Sequence, residues 1–435
     1  MANRNASGLM ILAIAWFLSC SATVLAQGIG EDLYIGGFVS QGYLNTSEND
    51  YLIPRSVNGT AEFTDAAIFF TANPVDRLRI GIQFIARNFG TTGNGQVHVD
   101  WAYGDYRLRD ELGFRAGRVK LPFGLYNEGR DVDMLRTGVF LPQSVYNERV
   151  RDLVLAYEGA GAYGSLCLGG GGDLDYHVFG GTLNVSESTE SIWQANSKVA
   201  GDDTALLLGA ANDVENGWEI GTTEVEFRED SNPEISFPWV WGGSLVWNTP
   251  LTGLRLGSTF LNGRVNYRST FWYDVHITEP GHEDRYSLSS DVDITTRMDH
   301  ELTFSAEYNH DDLMVAWELY HEKMEEDESS GWYIMSGYRF SNLFSLAGTY
   351  CESYNDSQDK DGTRFQEIGL PNYYAWLKDW TISTRFDLTD FWLLKFEYHF
   401  LNGVEQGVTH SVIEGVVDPL SKDWGMLTAK TTFAF

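Results

Sequence analysis

The stretch 424–435, WGMLTAKTTFAF, sets Leu427, Ala429, Thr431, Phe433 and Phe435 on one side of an extended chain. Met426, Thr428, Lys430 and Thr432 fall on the other. Side chains of a strand change sides at every residue, so this is an apolar, aromatic-tipped face backed by a polar one. The pattern recurs upstream. Trp392, Leu394, Phe396, Tyr398 and Phe400 alternate with Leu393, Lys395, Glu397 and His399. Leu302, Phe304, Ala306 and Tyr308 oppose Thr303, Ser305 and Glu307, while Leu78, Ile80, Ile82, Phe84 and Ala86 oppose Arg79, Gly81, Gln83, Ile85 and Arg87. A two-layer sandwich also alternates, but its strands are usually shorter and its polar face lies outside. Long strands with one face suited to lipid and the other to water predict an all-β chain, an antiparallel barrel that crosses a membrane.

Connections alternate in length. Short turns are expected near 73–76, 110–112, 169–172, 248–250, 309–312, 341–342 and 388–390, where Asn, Asp, Gly and Pro cluster. Longer polar connections lie near 45–60, 90–96, 125–150, 185–236, 270–297, 323–331, 353–378 and 402–423. Seven turns and eight loops give 16 strands, an even count. Eighteen stay open, because Trp218-Glu219-Ile220-Gly221 could form another strand and 270–297 could extend its neighbours.

At the other end, Arg4 precedes an apolar run over 9–18, and Val24-Leu25-Ala26 precedes Gln27. These are the parts of a cleaved secretory signal, so 1–26 is expected to be a signal peptide and 27–435 the barrel. The run is too short for a membrane helix, which needs roughly 20 apolar residues. Without Arg4, 29 basic residues face 61 acidic ones, a net charge of −32. That excess does not favour nucleic acid as a partner and suits solvated loops, with calcium bridging to lipopolysaccharide as an additional role. Cys167 and Cys351 form no disulfide framework and are expected as separate thiols. The nine histidines show no metal-ligand spacing, no G-x-S-x-G elbow is present, and the glycines at 169–172 lack the lysine of a phosphate loop. The reading is therefore of a chain with no cofactor and no catalytic residues.

The segment 117–152 carries the most function. Arg118 and Lys120 share one face of a strand, with Val119, Leu121 and Phe123 on the other. Pro122 removes a backbone donor and Gly124 permits an unusual turn, so strand pairing should stop there. The loop that follows mixes Glu128, Arg130, Asp131, Asp133, Arg136 and Glu148. From 75 to 155 there are 12 basic and 10 acidic residues, a net of +2 in a chain that is otherwise strongly acidic.

The run Gly117-Arg118, Lys120, Pro122-Phe123-Gly124-Leu125-Tyr126, with the later Leu141-Pro142-Gln143-Ser144-Val145-Tyr146, resembles Gram-negative outer-membrane porins of the phosphate-selective O and P group. The final Phe435 resembles the closing-strand terminus of such barrels. The resemblance implies location in the bacterial outer membrane, a homotrimer, and a third loop folded into the barrel to narrow its pore. Carried over, Glu128, Arg130, Asp131, Asp133 and Arg136 become constriction candidates, and Arg79, Arg87, Arg118 and Lys120 are expected on the lumen wall beside them. No dense run of loop cations suits a dedicated phosphate filter. The leading expectation is passive diffusion of small hydrophilic solutes and ions through a loop-narrowed aqueous pore. A substrate-specific channel for an anion or small organic solute is the alternative, and an outer-membrane hydrolase or an adhesin are more distant ones.

Overall fold

A computed structural model describes residues 33–90, 93–183, 223–227, 234–279, 282–325, 327–367, 370–405, 408–409, 412–413, 416–417 and 420–435. The expected signal peptide and the Trp218-Glu219-Ile220-Gly221 stretch lie outside them.

Sixteen strands form the wall. They are β1 (Leu33–Thr46), β2 (Phe63–Val75), β3 (Leu78–Phe89), β4 (Val97–Arg109), β5 (Leu112–Lys120) and β6 (Ala156–Cys167). Next come β7 (Asp173–Leu183), β8 (Glu234–Asn248), β9 (Leu254–Glu279), β10 (His282–His310) and β11 (Leu313–Met324). The ring finishes with β12 (Asp327–Arg339), β13 (Phe344–Tyr354), β14 (Trp376–Thr389), β15 (Trp392–Gly403) and β16 (Asp423–Ala434). Each pairs antiparallel with its sequence neighbours, and β16 pairs with β1 from Phe38↔Ala434 to Thr46↔Met426. The sheet is closed. Phe435 adds the last rung, exchanging both backbone hydrogen bonds with Gly37 at 3.0 and 3.1 Å.

The sixteen-strand count holds and the eighteen-strand option falls. Strand Thr223–Phe227 pairs with the outer part of β9 (Tyr273–Ile277), so it lies beyond the ring and adds nothing to it. Ladder pairing of β9 with β10 continues to Glu279↔His282, which turns the expected 270–297 loop into a long hairpin. Strands β11 and β12 likewise run closer to their connection than the 323–331 loop allowed. The short turns fall where Asn, Asp and Gly cluster. Arg77 and Asp311, at φ 71° and 49°, take the left-handed conformation that two-residue hairpin turns need.

The faces sort as the alternation demands. On β15, Phe396, Tyr398 and Phe400 are exposed outward while Lys395, Glu397 and His399 are buried inward. On β16, Leu427 and Phe433 are exposed, and Met426, Thr428, Lys430 and Thr432 are buried. Phe340, Trp380, Phe391 and Trp392 stand on the outer surface, where amphipathic rings suit a lipid boundary. Cys167 is exposed, Cys351 is buried, and the two are not bridged.

Candidate pore constriction

Pairing of β5 with β6 ends at Lys120↔Ala156, and Leu121 N–H bonds Leu155 O at 2.8 Å to close the base of the loop 121–155. Asn127 staples that base, its amide donating to Leu121 O at 3.0 Å and Val154 O at 2.9 Å. Between them Gly124 (φ 56°) turns the chain inward, and a Cβ there would lie 2.4 Å from the Tyr146 hydroxyl. The root rests on an apolar bed of Val119, Leu121, Phe123, Leu141, Val145, Tyr146 and Tyr157.

One carboxylate organises this bed. Glu318 of β11 is fully buried and accepts from Leu125 N–H (3.0 Å), Tyr146 Oη (2.7 Å), Ser305 Oγ (2.9 Å) and Tyr333 Oη (2.9 Å). A buried charge is tolerable only when so solvated by donors. Tyr126 adds a 2.6 Å bond to Glu307, itself held by Arg255 at 2.9 Å.

The loop then crosses the interior to β14, β15 and β16. Lys395 donates to the carbonyls of Asp133 (2.8 Å) and Gly138 (2.9 Å). Two residues on, Glu397 accepts the N–H groups of Val139 (2.6 Å) and Phe140 (3.1 Å). Arg385 donates to Met134 O at 2.7 Å, and Thr432 donates to Asp133 at 2.7 Å. Phe140 stacks on Phe63 of β2 with centroids 5.4 Å apart. A loop fixed to its own root and to the facing wall cannot lie over the barrel mouth; it is a bar across the interior.

The constriction candidates meet in two ion-pair groups. In the first, Arg87 joins Asp65 (2.8 Å) and Glu148 (2.9 Å), Glu148 joins Arg130 (3.0 Å), and Lys430 joins Asp65 (2.9 Å) to Asp133 (3.0 Å). Arg136 pairs with Asp133 at 2.9 Å. In the second, Asp131 takes Lys120 at 2.5 Å and also Arg151, which reaches Asp100 at 3.2 Å. Glu128 stays half-exposed, 3.5 Å from Arg115. Arg79 is exposed near the turns, on the inward-facing register of β3.

Arg118 corrects the sequence reading. The ladder sets it opposite Ala102 and Glu158, in register with exposed Phe114 and Tyr106 rather than with inward Arg115. It donates to Asp100 O at 2.9 Å and pairs with Glu158 at 3.3 Å on the outer side. Residues the sequence did not single out for the site are Asp65, Arg115, Arg151, Glu318, Arg385 and Glu397. Their only signal was an inward position on an alternating strand or a charge within the loop.

Burial alone would raise the Glu148 carboxyl, but the guanidinium groups of Arg130, Arg87 and Arg151 overcome it and hold it down at about 2. Burial likewise opposes the Asp133 charge, and Lys430, Lys395 and Arg136 hold that carboxyl far below the usual range. Both are ionised tethers at any ordinary pH.

Against known folds the barrel is similar to OmpF of Salmonella typhi, solved in complex with daunomycin, at TM-score 0.54 and 11% identity, covering 93% of this chain and 97% of that one. It is similar to an anion-selective porin from Comamonas acidovorans at TM-score 0.50 and 10% identity (93% and 99% covered). OmpT of Vibrio cholerae matches at TM-score 0.50 and 9% identity (93% and 97% covered). The fold is that of an outer-membrane porin barrel. No protein-family model matches the sequence, and no curated protein matches it. At these identities the likeness establishes architecture, and the site must argue the rest.

Proposed function

We propose that this protein is an outer-membrane porin that lets small hydrophilic solutes and ions diffuse passively through an interior narrowed by loop 121–155. The observation that carries the reading is the bar itself, clamped by Lys395 and Glu397 on the wall facing its root. Charges of both signs line the interior. Carboxylates Glu301, Glu307, Glu318 and Glu322 stand on β10 and β11, and Arg385, Lys395 and Lys430 on β14 to β16. Inward charge of both signs suits passage of polar solutes without a single tight ligand.

The loop cations also argue for a broad pore. Arg130 is engaged by Glu148 and Lys120 by Asp131, so neither is left as part of a bare cationic filter of the phosphate-selective kind. The fuller reading places the mature barrel in the outer membrane after loss of residues 1–26, in contact with lipopolysaccharide, as the homotrimer implied by the resemblance. Planar-bilayer recording of the purified chain tests it. A linear current with no saturable block by any solute is expected, whereas block at micromolar solute would replace the general pore by a specific channel.

A further inference from the structure

The connection between β1 and β2 reads in sequence as a polar loop at the mouth, yet six of its residues are buried: Asn49, Asp50, Tyr51, Leu52, Ile53 and Ser56. It folds back into the barrel. Tyr51, Leu52 and Ile53 share one apolar cluster with the wall residues Phe63, Phe89 and Met426 and with Val139 and Phe140 of the bar. Tyr51 meets the ring of Trp424 edge-on at 5.3 Å, while Phe140 stacks on Phe63 and meets Phe89 edge-on at 6.0 Å.

The backbone is bent to allow this. Leu52 takes φ 62°, and Ile53 N–H bonds Tyr51 O at 2.7 Å, a tight three-residue turn. In a straight strand Leu52 would face away from Tyr51 and Ile53; here all three are buried. A left-handed leucine is uncommon and persists only where its surroundings fix it. The Ser56 hydroxyl accepts Tyr51 N–H at 2.9 Å and lies 3.0 Å from Thr46 Oγ1. Asn49 exchanges two hydrogen bonds with the backbone of Ser421, at 2.7 and 2.8 Å. Asp50 and Tyr51 pair as a short ladder with Thr409 and Val408.

We propose that segment 47–62 is a strap that seats the far end of the bar. Lys395 and Glu397 hold that end by its backbone groups. The strap completes the apolar seat of its side chains, Val139 and Phe140. Because Ser421 and Val408–Thr409 hold the strap in turn, the connection between β15 and β16 reaches the bar through it. The consequence for current rests on the porin reading; the seating itself does not.

The test replaces residues 48–57 by Gly-Ser-Gly in the full-length mature chain, with Ile53→Asn as a milder variant and far-ultraviolet dichroism to report the barrel. Hydrogen exchange at 137–141 reads the bar without any current. It should be roughly tenfold faster in both variants, with exchange in β7 unchanged. Planar-bilayer recording should show noisier open currents. Exchange at 137–141 equal to that of the unsubstituted protein overturns the proposal even if conductance grows, since removing a plain obstruction would do that alone. A complete lack of current from the unsubstituted protein would instead overturn the porin reading, with the exchange result still deciding the strap.

Discussion

Lys430 of β16 stands 3.0 Å from Asp133 of the inward loop while holding Asp65 of the wall at 2.9 Å. Asp133 also meets Arg136 at 2.9 Å and Lys395 at 3.7 Å, so one loop carboxylate is the partner of three cations. Asp133→Asn should leave Arg136 and Lys395 without a carboxylate partner and Lys430 with Asp65 alone, at a cost of about 3–5 kcal/mol. Single-channel recording should show larger and noisier open currents as the bar loosens. Currents identical to the unsubstituted channel would mean that this carboxylate does not position the loop.

Acid should release the loop late. Glu148 has a folded pKa near 2 against an ordinary 4.5, so its contribution is complete above about 4.5 and lost as pH falls through about 2. The shift corresponds to on the order of 3 kcal/mol. Open-channel noise should therefore stay flat from neutrality to about pH 4 and rise only below it. A rise near pH 6 would contradict this assignment.

Arg115 and Arg118 separate the two faces of β5. Arg115→Gln removes an inward cation beside Glu128 and should shift the reversal potential in asymmetric salt toward cations by several millivolts. Arg118→Gln removes an outward one and should leave the potential unchanged.

Glu318→Gln tests the root. Four donors converge on that carboxylate, and an amide would turn an N–H₂ toward some of them. A loss of about 2–4 kcal/mol is expected in urea unfolding of the detergent-solubilised barrel. A loss under about 0.5 kcal/mol would show that the root is held by its apolar bed alone.

Gly331→Ala probes contact between loop and wall from the opposite direction. A Cβ at Gly331 would lie 2.2 Å from Ser144 O, so the loop must move away. Overpacking of this kind costs about 1–3 kcal/mol. Conductance should change while the far-ultraviolet dichroism of the barrel does not.

Strand faces, short turns and the end of strand pairing at the loop were legible because each rests on local order, whereas the inward course of the loop was expected from the resemblance alone. Leu427 and Phe433 separate from Lys430 by parity alone, and Pro122 with Gly124 marks where pairing stops. Arg118 was misread because charge was allowed to assign its face. Counting parity from Arg115 puts Arg118 outside, where Glu158 on the next strand makes the position tolerable, and gives Lys120 the same outward parity, although from the end of the strand its ammonium reaches Asp131 of the loop. The far ends of the site were not legible: Lys395 and Glu397 lie more than 250 residues from the backbone groups they hold, and no local pattern encodes that meeting. The sequence also overestimated the connection between β11 and β12, because polar residues at 323–331 read as loop although a ladder above the membrane accepts them equally well.

The bar has a mechanical consequence. Fixed at its root and at β15 and β16, it is a spoke spanning a ring. Such a spoke resists flattening along its own direction and leaves the crosswise direction free. A deformation of the ring would therefore be taken up across the bar rather than along it.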